Sequence, residues 1–174
     1  MRAVLLLSVL VFVSACTGLP KNVEPVSEFE VDRYLGRWYE IARLDNYFER
    51  GLSNITATYS PREDGGVVVA NRGYSEKKSA WQESTGKAYF VGDKNRAHLK
   101  VSFFGPVYAT YAVFELDKED YQYAFVSGSS TKNLWFLSRT PTVSEELMEQ
   151  FKRRAGELGF DTNALILVDH KPRN

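Results

Sequence analysis

Few side chains in this sequence are equipped for covalent chemistry. The chain holds one cysteine, Cys16, and two histidines, His98 and His170. It contains no H-E-x-x-H, G-x-S-x-G, phosphate-binding loop, dinucleotide fingerprint or C-x-x-C. A single thiol can form neither an intramolecular disulfide nor a cysteine-rich metal site, so no cofactor and no metal are expected. His98 falls on the polar side of an alternating stretch, opposite Leu99, Val101 and Phe103, and is expected to face solvent. Glu49, Glu63 and Asp64 read as loop charges. Glu40 is different. If Trp38 points inward, alternation puts Glu40 and Ala42 inward too, and a buried carboxyl needs a partner or water. Glu40 then belongs to a buried polar network or meets a ligand headgroup. With no activated nucleophile or acid–base pair visible, binding is favoured over turnover. An isomerase or esterase on the same scaffold is the enzymatic alternative.

Cys16 has a chemistry of its own. Residues 1–16 read MRAVLLLSVLVFVSAC: Arg2, an apolar run from Ala3 to Val13, then small residues just before the cysteine. The run is too short to span a bilayer, which takes about 20 residues, and reads as a signal peptide covering 1–15. Val13-Ser14-Ala15-Cys16 resembles a bacterial lipobox, which implies cleavage before Cys16 and acylation of that residue. The alternative is an ordinary signal with a stray cysteine. Thr17, where Asp usually signals inner-membrane retention, implies the outer membrane. Residues 16–28, with Pro20 and Pro25, read as a lipidated N-terminus and tether, leaving 29–174 as the folded domain. Lys plus Arg and Asp plus Glu each number 22, so no basic surface argues for nucleic acid.

The elements that must position these residues are mostly strands. Extended, turn-bounded segments run Arg37–Arg43, Asn54–Ser60, Val67–Tyr74, Trp81–Val91, Ala97–Phe104, Tyr108–Leu116, Tyr121–Ser127 and Asn133–Arg139, with no helix between them. Eight such strands joined by hairpins predict an all-β fold, an antiparallel up-and-down barrel able to enclose one small ligand. A sandwich with a solid core is the alternative. One helix follows, with a capping box at Thr142 and Glu145, an apolar face of Leu147, Phe151, Ala155 and Leu158, and a stop at Gly159. It is expected to pack outside the barrel. Ala164–Val168 reads as a short final strand.

Alternation also proposes a lining: Ile55, Ala57 and Tyr59; Val69 and Asn71; Leu99, Val101 and Phe103; Tyr111 and Val113; Trp135 and Leu137. A one-residue slip in any strand would reverse its set. Aromatics make up 14% of the chain, which suits a lined cavity or a well-packed β core. An apolar wall with hydroxyl and amide groups suits an amphiphile, each buried methylene contributing about 0.8 kcal/mol.

Gly36-x-Trp38 in the first strand, Arg139 at the end of the eighth and the order of elements resemble the lipocalins over roughly Phe29 to Asp169. GRWYEIAR, YFERG, GKAYF, VSFFGP and WFLSRTP are similar to the bacterial lipocalins and the apolipoprotein D branch. The resemblance implies that Arg139 packs across Trp38 beside Gly36 at the closed end of the barrel. Such a cation–π contact is worth about 0.5–2 kcal/mol. Asp117–Tyr121 stands where the family has Thr-Asp-Tyr. The implied partners are a lipid ligand, a fatty acid or lysophospholipid, and an outer membrane held through acylated Cys16 with the domain facing the periplasm. A homodimer stays open.

Overall fold

The computed structural model describes residues 18–172. The expected leader, Cys16 as the expected acylation site, and Thr17 lie outside the described residues.

The strands expected from alternation form with shifted ends: β1 (Gly36–Arg43), β2 (Leu52–Pro61), β3 (Val67–Ser75), β4 (Ala80–Phe90), β5 (His98–Phe104), β6 (Val107–Leu116), β7 (Tyr123–Ser127) and β8 (Leu134–Ser138). Each pairs antiparallel with the next, and β1 pairs with both β2 and β8. The sheet therefore closes into a barrel, not a sandwich, and leaves β2 and β8 without an open edge. A short helix, α1 (Val31–Tyr34), crosses one end. Helix α2 (Glu145–Glu157) and strand β9 (Ile166–Leu167) follow the barrel.

Two apolar clusters share the sheet. Trp38, Tyr59, Val69, Leu99, Val101, Val113, Val126 and Leu137 pack inside. Ala42, Phe114, Phe125, Phe136, Phe151 and Ala155 pack outside, beneath α2. Strand β7 is apolar on both faces for this reason: Ala124 and Val126 line the barrel, while Phe125 lies 4.9 Å from the Phe151 ring of α2.

The helix begins later than its sequence suggested. Ser144, not Thr142, is the cap, its hydroxyl accepting a hydrogen bond from the Leu147 amide at 3.2 Å. Thr142 contributes only its carbonyl, to the Thr140 hydroxyl. A Ser two residues further on satisfies the free amides with the same chemistry, so the expected capping box does not form. The other end stops as expected. Gly159 has φ +87°, and the amides of Gly159 and Phe160 bond to the carbonyls of Gly156 and Ala155, the paired bonds of a left-handed helix stop.

Strand β1 carries the main departure. Its register against β8 shifts between Glu40 and Ala42: Glu40 faces Leu137, Ala42 faces Phe136 and Arg43 faces Trp135. Leu137 and Trp135 belong to the interior and Phe136 to the outer cluster. The bulge sends Ala42 outward, against expectation, and turns Arg43 inward.

The same bulge separates β1 from the mouth-side half of β2. The C-terminal segment fills the gap. The expected strand at Ala164–Val168 starts with a 3₁₀ turn, Thr162–Ala164, so only Ile166–Leu167 extends against Ala42 and Arg43. Beyond it, the Val168 amide bonds to the Ile41 carbonyl at 3.0 Å and the Asn54 amide to the Asp169 carbonyl at 2.7 Å. His170 Nε2 lies 2.7 Å from the Glu40 carbonyl.

Residues 18–28, expected as a tether, are packed against the barrel where described. Pro20, Val23 and Pro25 are buried. The Val26 amide bonds to the Val113 carbonyl and its carbonyl accepts from Ala97. The Thr110 hydroxyl donates to the Gly18 carbonyl.

Candidate functional site

The barrel has a sealed end and a gated end. At the sealed end the Arg139 guanidinium lies 3.9 Å from the Trp38 ring centroid. It donates to the carbonyls of Tyr121, Arg37 and Arg33 at 3.2, 2.9 and 2.8 Å. A Cβ at Gly36 would stand 3.4 Å from Arg139 Nη1, and Gly36 has φ +93°. Glycine is therefore required by the backbone conformation, with the guanidinium in close contact. Trp38 Nε1 donates to the Tyr34 carbonyl at 2.8 Å. Asp117 accepts from the amides of Glu119, Asp120 and Gln122, and the Tyr121 hydroxyl accepts from the Glu30 amide. The Asp117–Tyr121 turn thus braces the end of the barrel.

Three tyrosines form a floor above this plug. The Tyr111 hydroxyl bridges those of Tyr34 at 2.6 Å and Tyr59 at 2.9 Å. Burial pushes all three well above the ordinary phenol range, so they act as neutral hydrogen-bonding groups. The enclosed space at this level is about 20 Å³, bordered by Phe29, Tyr59, Ala88, Leu99, Val101 and Tyr111 among others. That is room for about one water, not for an acyl chain.

The residues expected to line the interior are placed as follows. Tyr59, Val69, Leu99, Val101 and Val113 are buried in the inner cluster, and Ala57, Phe103, Tyr111 and Trp135 pack against it. Phe103 lies across Gly86, where a Cβ would come within 2.8 Å of its ring. Ile55 is buried beside Gly73. Asn71 is half-buried opposite Ala57, and also borders a groove on the outer wall with Tyr39, Arg72, Trp81 and His170. His98 is half-buried, not turned to solvent as expected, because the following strand and the residues around Val26 and Ala97 cover that edge.

At the gated end, loop 44–51 folds over the opening. Glu49, read from sequence as a loop charge, turns its carboxylate inward. It accepts from Trp135 Nε1 at 3.1 Å and from the Asn46 amide group. Arg43 is 3% exposed and donates Nη1 to Glu40 at 3.1 Å and Nη2 to the Glu49 carbonyl at 2.9 Å. Burial, then the neighbouring Glu49 charge, push the Glu40 carboxyl well above the ordinary range despite Arg43. By distance Arg43 and Glu40 are an ion pair. We read them as a guanidinium donating to a neutral acid, because Arg43 serves two acidic side chains and only one can be balanced by its charge. Sequence alternation found Glu40. It missed Arg43 and Glu49, although the successive apolar pair Ile41-Ala42 is the signal that the alternation breaks.

Residues 29–170 match the family model of the lipocalin-like domain. The chain is 56% identical over 171 residues to outer membrane lipoprotein Blc of Vibrio cholerae, covering 98% of this chain and 100% of that one. It is 32% identical over 155 residues to apolipoprotein D of Mus musculus, covering 83% and 79%. Insecticyanin of the tobacco hornworm Manduca sexta superposes with a TM-score of 0.70 at 21% identity, covering 87% and 86%, a likeness of fold. Matched along nearly its whole domain, with a barrel sealed by Trp38 and Arg139, this chain belongs to the lipocalin family.

Proposed function

We propose that the protein binds a single-chain lipid, a fatty acid or lysophospholipid, in its barrel and stores or carries it at the outer membrane. Acylated Cys16 anchors it there with the domain facing the periplasm, in envelope maintenance or stress. The observation that supports this reading best is the asymmetry of the interior. One end is closed by Trp38, Arg139 and the tyrosine floor, while the other is covered only by a loop whose inward contacts are polar. Between them the walls carry Ile55, Ala57, Val101, Phe103 and Val113. The described enclosed space is about 20 Å³, so a chain enters from the loop-covered side, apolar end first, as the loop and these side chains yield, and its headgroup stays among polar groups. The names of the bacterial relatives, which are outer membrane lipoproteins, favour the same location.

Native mass spectrometry with lipid extraction, on protein purified from its own envelope, tests the reading. About one extractable acyl chain per barrel, beyond those on Cys16, is the expected result. A second reading has one observation in its favour. Tyr47, Phe48, Phe104 and Val107 are 68–78% exposed around the open end, and Phe48 stacks on Phe104. In that reading the barrel is solid and this rim meets another envelope protein. An empty protein, with no tryptophan quenching on adding fatty acid or lysophospholipid, would favour it.

A further inference from the structure

Glu49 sits at the mouth as an amphiphile's acidic headgroup would. Its carboxylate lies at the top of an apolar-walled interior and takes the Trp135 indole N–H at 3.1 Å. It faces Arg43, whose Nε is 3.9 Å away. That Nε is buried and has no hydrogen-bond partner. A carboxylate or phosphate set squarely on a guanidinium normally approaches to about 2.7–2.9 Å. Glu49 cannot reach that geometry while Arg43 Nη2 is bonded to the Glu49 carbonyl at 2.9 Å and Asn46 holds Oε2, the same carboxylate oxygen that faces Arg43. The arrangement is an anion site filled by a tethered, imperfect occupant. The groups that make it come from β1, β8 and the loop, so they meet only in the folded barrel.

We propose that Glu49 is a built-in stand-in for the ligand's headgroup, and that an anionic single-chain amphiphile displaces it. The incoming oxyanion takes Trp135 Nε1 and Arg43 Nε. Glu49 leaves with its loop, and Tyr47 and Phe48 move with it, uncovering the opening. The exchange replaces one negative charge by another, so the charge beside Arg43 and Glu40 is conserved. The site therefore selects for acidic headgroups, carboxylate or phosphate, because a neutral amphiphile takes from Arg43 only a hydrogen bond to an uncharged oxygen, weaker than one to an oxyanion. This inference rests on the lipid-carriage reading and adds the headgroup class and the gate.

The test uses the mature chain from residue 16 with Cys16→Ser, and compares palmitate, palmitoyl lysophosphatidate and monopalmitoylglycerol by calorimetric titration. Glu49→Gln keeps an acceptor for Trp135 but removes the competing charge. It is expected to tighten at least one of the two anions by about five- to tenfold and the neutral lipid by less than about twofold. Trp135→Phe in the Glu49→Gln background is expected to reverse most of that gain. Equal tightening for all three lipids would show a lid without headgroup exchange and overturn the inference, leaving carriage intact. Unchanged or weaker binding of both anions would overturn it too. A parent chain that binds none of the three would instead sink carriage itself, and this inference with it.

Discussion

Glu40 is a carboxyl group held 4% exposed inside a barrel, beside a second acid and one arginine. Burial and Glu49 raise its pKa above that of the unfolded chain, and the sign of the consequence follows. Below the ordinary carboxylate range both states are protonated and Glu40 contributes no slope. As pH rises through that range, the unfolded chain releases the proton and the folded chain keeps it, so stability falls until pH passes the raised folded value. Arg43, Glu49 and Tyr59 are the ionisable groups that bear on it. Glu40→Gln imitates the neutral acid without a titrating proton. Thermal unfolding from pH 4 to pH 8 should show the variant gaining on the parent as pH rises, with the two converging at the acid end. Parallel curves would mean that Glu40 is ionised in the folded protein. At the sealed end, Arg139→Met keeps the bulk over Trp38 but loses three donors to backbone carbonyls. It should cost about 2–4 kcal/mol in urea unfolding. Gly36 and Trp38 were legible from residue type and position, and Arg139 only through the resemblance to the lipocalins. Arg43 was not, because a bulge reverses side-chain direction without changing composition.

The bulge matters more as part of an element. It lets β1 leave β2 after Tyr39, the last residue of that pairing, and take up β9 at Ala42 and Arg43. The barrel wall near the mouth is therefore completed by the C-terminal segment, through the bonds of Val168 to Ile41, Asn54 to Asp169 and His170 to Glu40. Deleting residues 168–174 removes these three bonds and should lower stability by about 3 kcal/mol, at roughly 1 kcal/mol each. Hydrogen exchange locates the effect: the amide of Asn54 should lose its protection, while those deep in β5 and β6 keep theirs until global unfolding. Uniform loss of protection would mean that the segment holds up the whole barrel. The helix offers a sharper contrast. Ser144→Ala should cost about 1 kcal/mol, and Thr142→Ala close to nothing, because only Ser144 caps an amide. Sequence could announce a helix after Pro141 but could not choose between two hydroxyl residues two positions apart. Either satisfies the same chemistry, and the path of the chain decides.

At the scale of the whole molecule, eight strands and one outer helix were readable because turn residues bound the strands and the helix keeps one apolar face, whereas closure over a sandwich is decided by the pairing of β1 with both β2 and β8. What alternation cannot report is which irregular segments lie against the wall. Residues 18–28 look like a tether, with two prolines and several polar side chains, yet Pro20, Val23 and Pro25 are buried and Val26 bonds into the sheet. This packing changes what an anchor at Cys16 would do. Gly18 is pinned to Thr110 of β6, so only Thr17, with about 7 Å of extended chain, separates Cys16 from that point on the barrel. The body would ride against the bilayer, not on a long leash. The chain's formal net charge is zero, and among the described residues no helix is long and apolar enough to cross a membrane. Fractionation of envelopes should accordingly find the parent chain in the membrane, and a chain whose residues 1–16 are exchanged for an ordinary cleavable signal peptide in the soluble periplasmic fraction. Inserting about 20 Gly/Ser residues between Thr17 and Gly18 should keep the protein on the membrane. It should also slow uptake of a lipid from that same membrane, because the mouth is no longer held near it. Membrane retention of the chain lacking Cys16 would mean that the exposed rim of Tyr47, Phe48, Phe104 and Val107 binds the envelope unaided. The short connection would then be a detail of packing, and the rim would become the anchor to study.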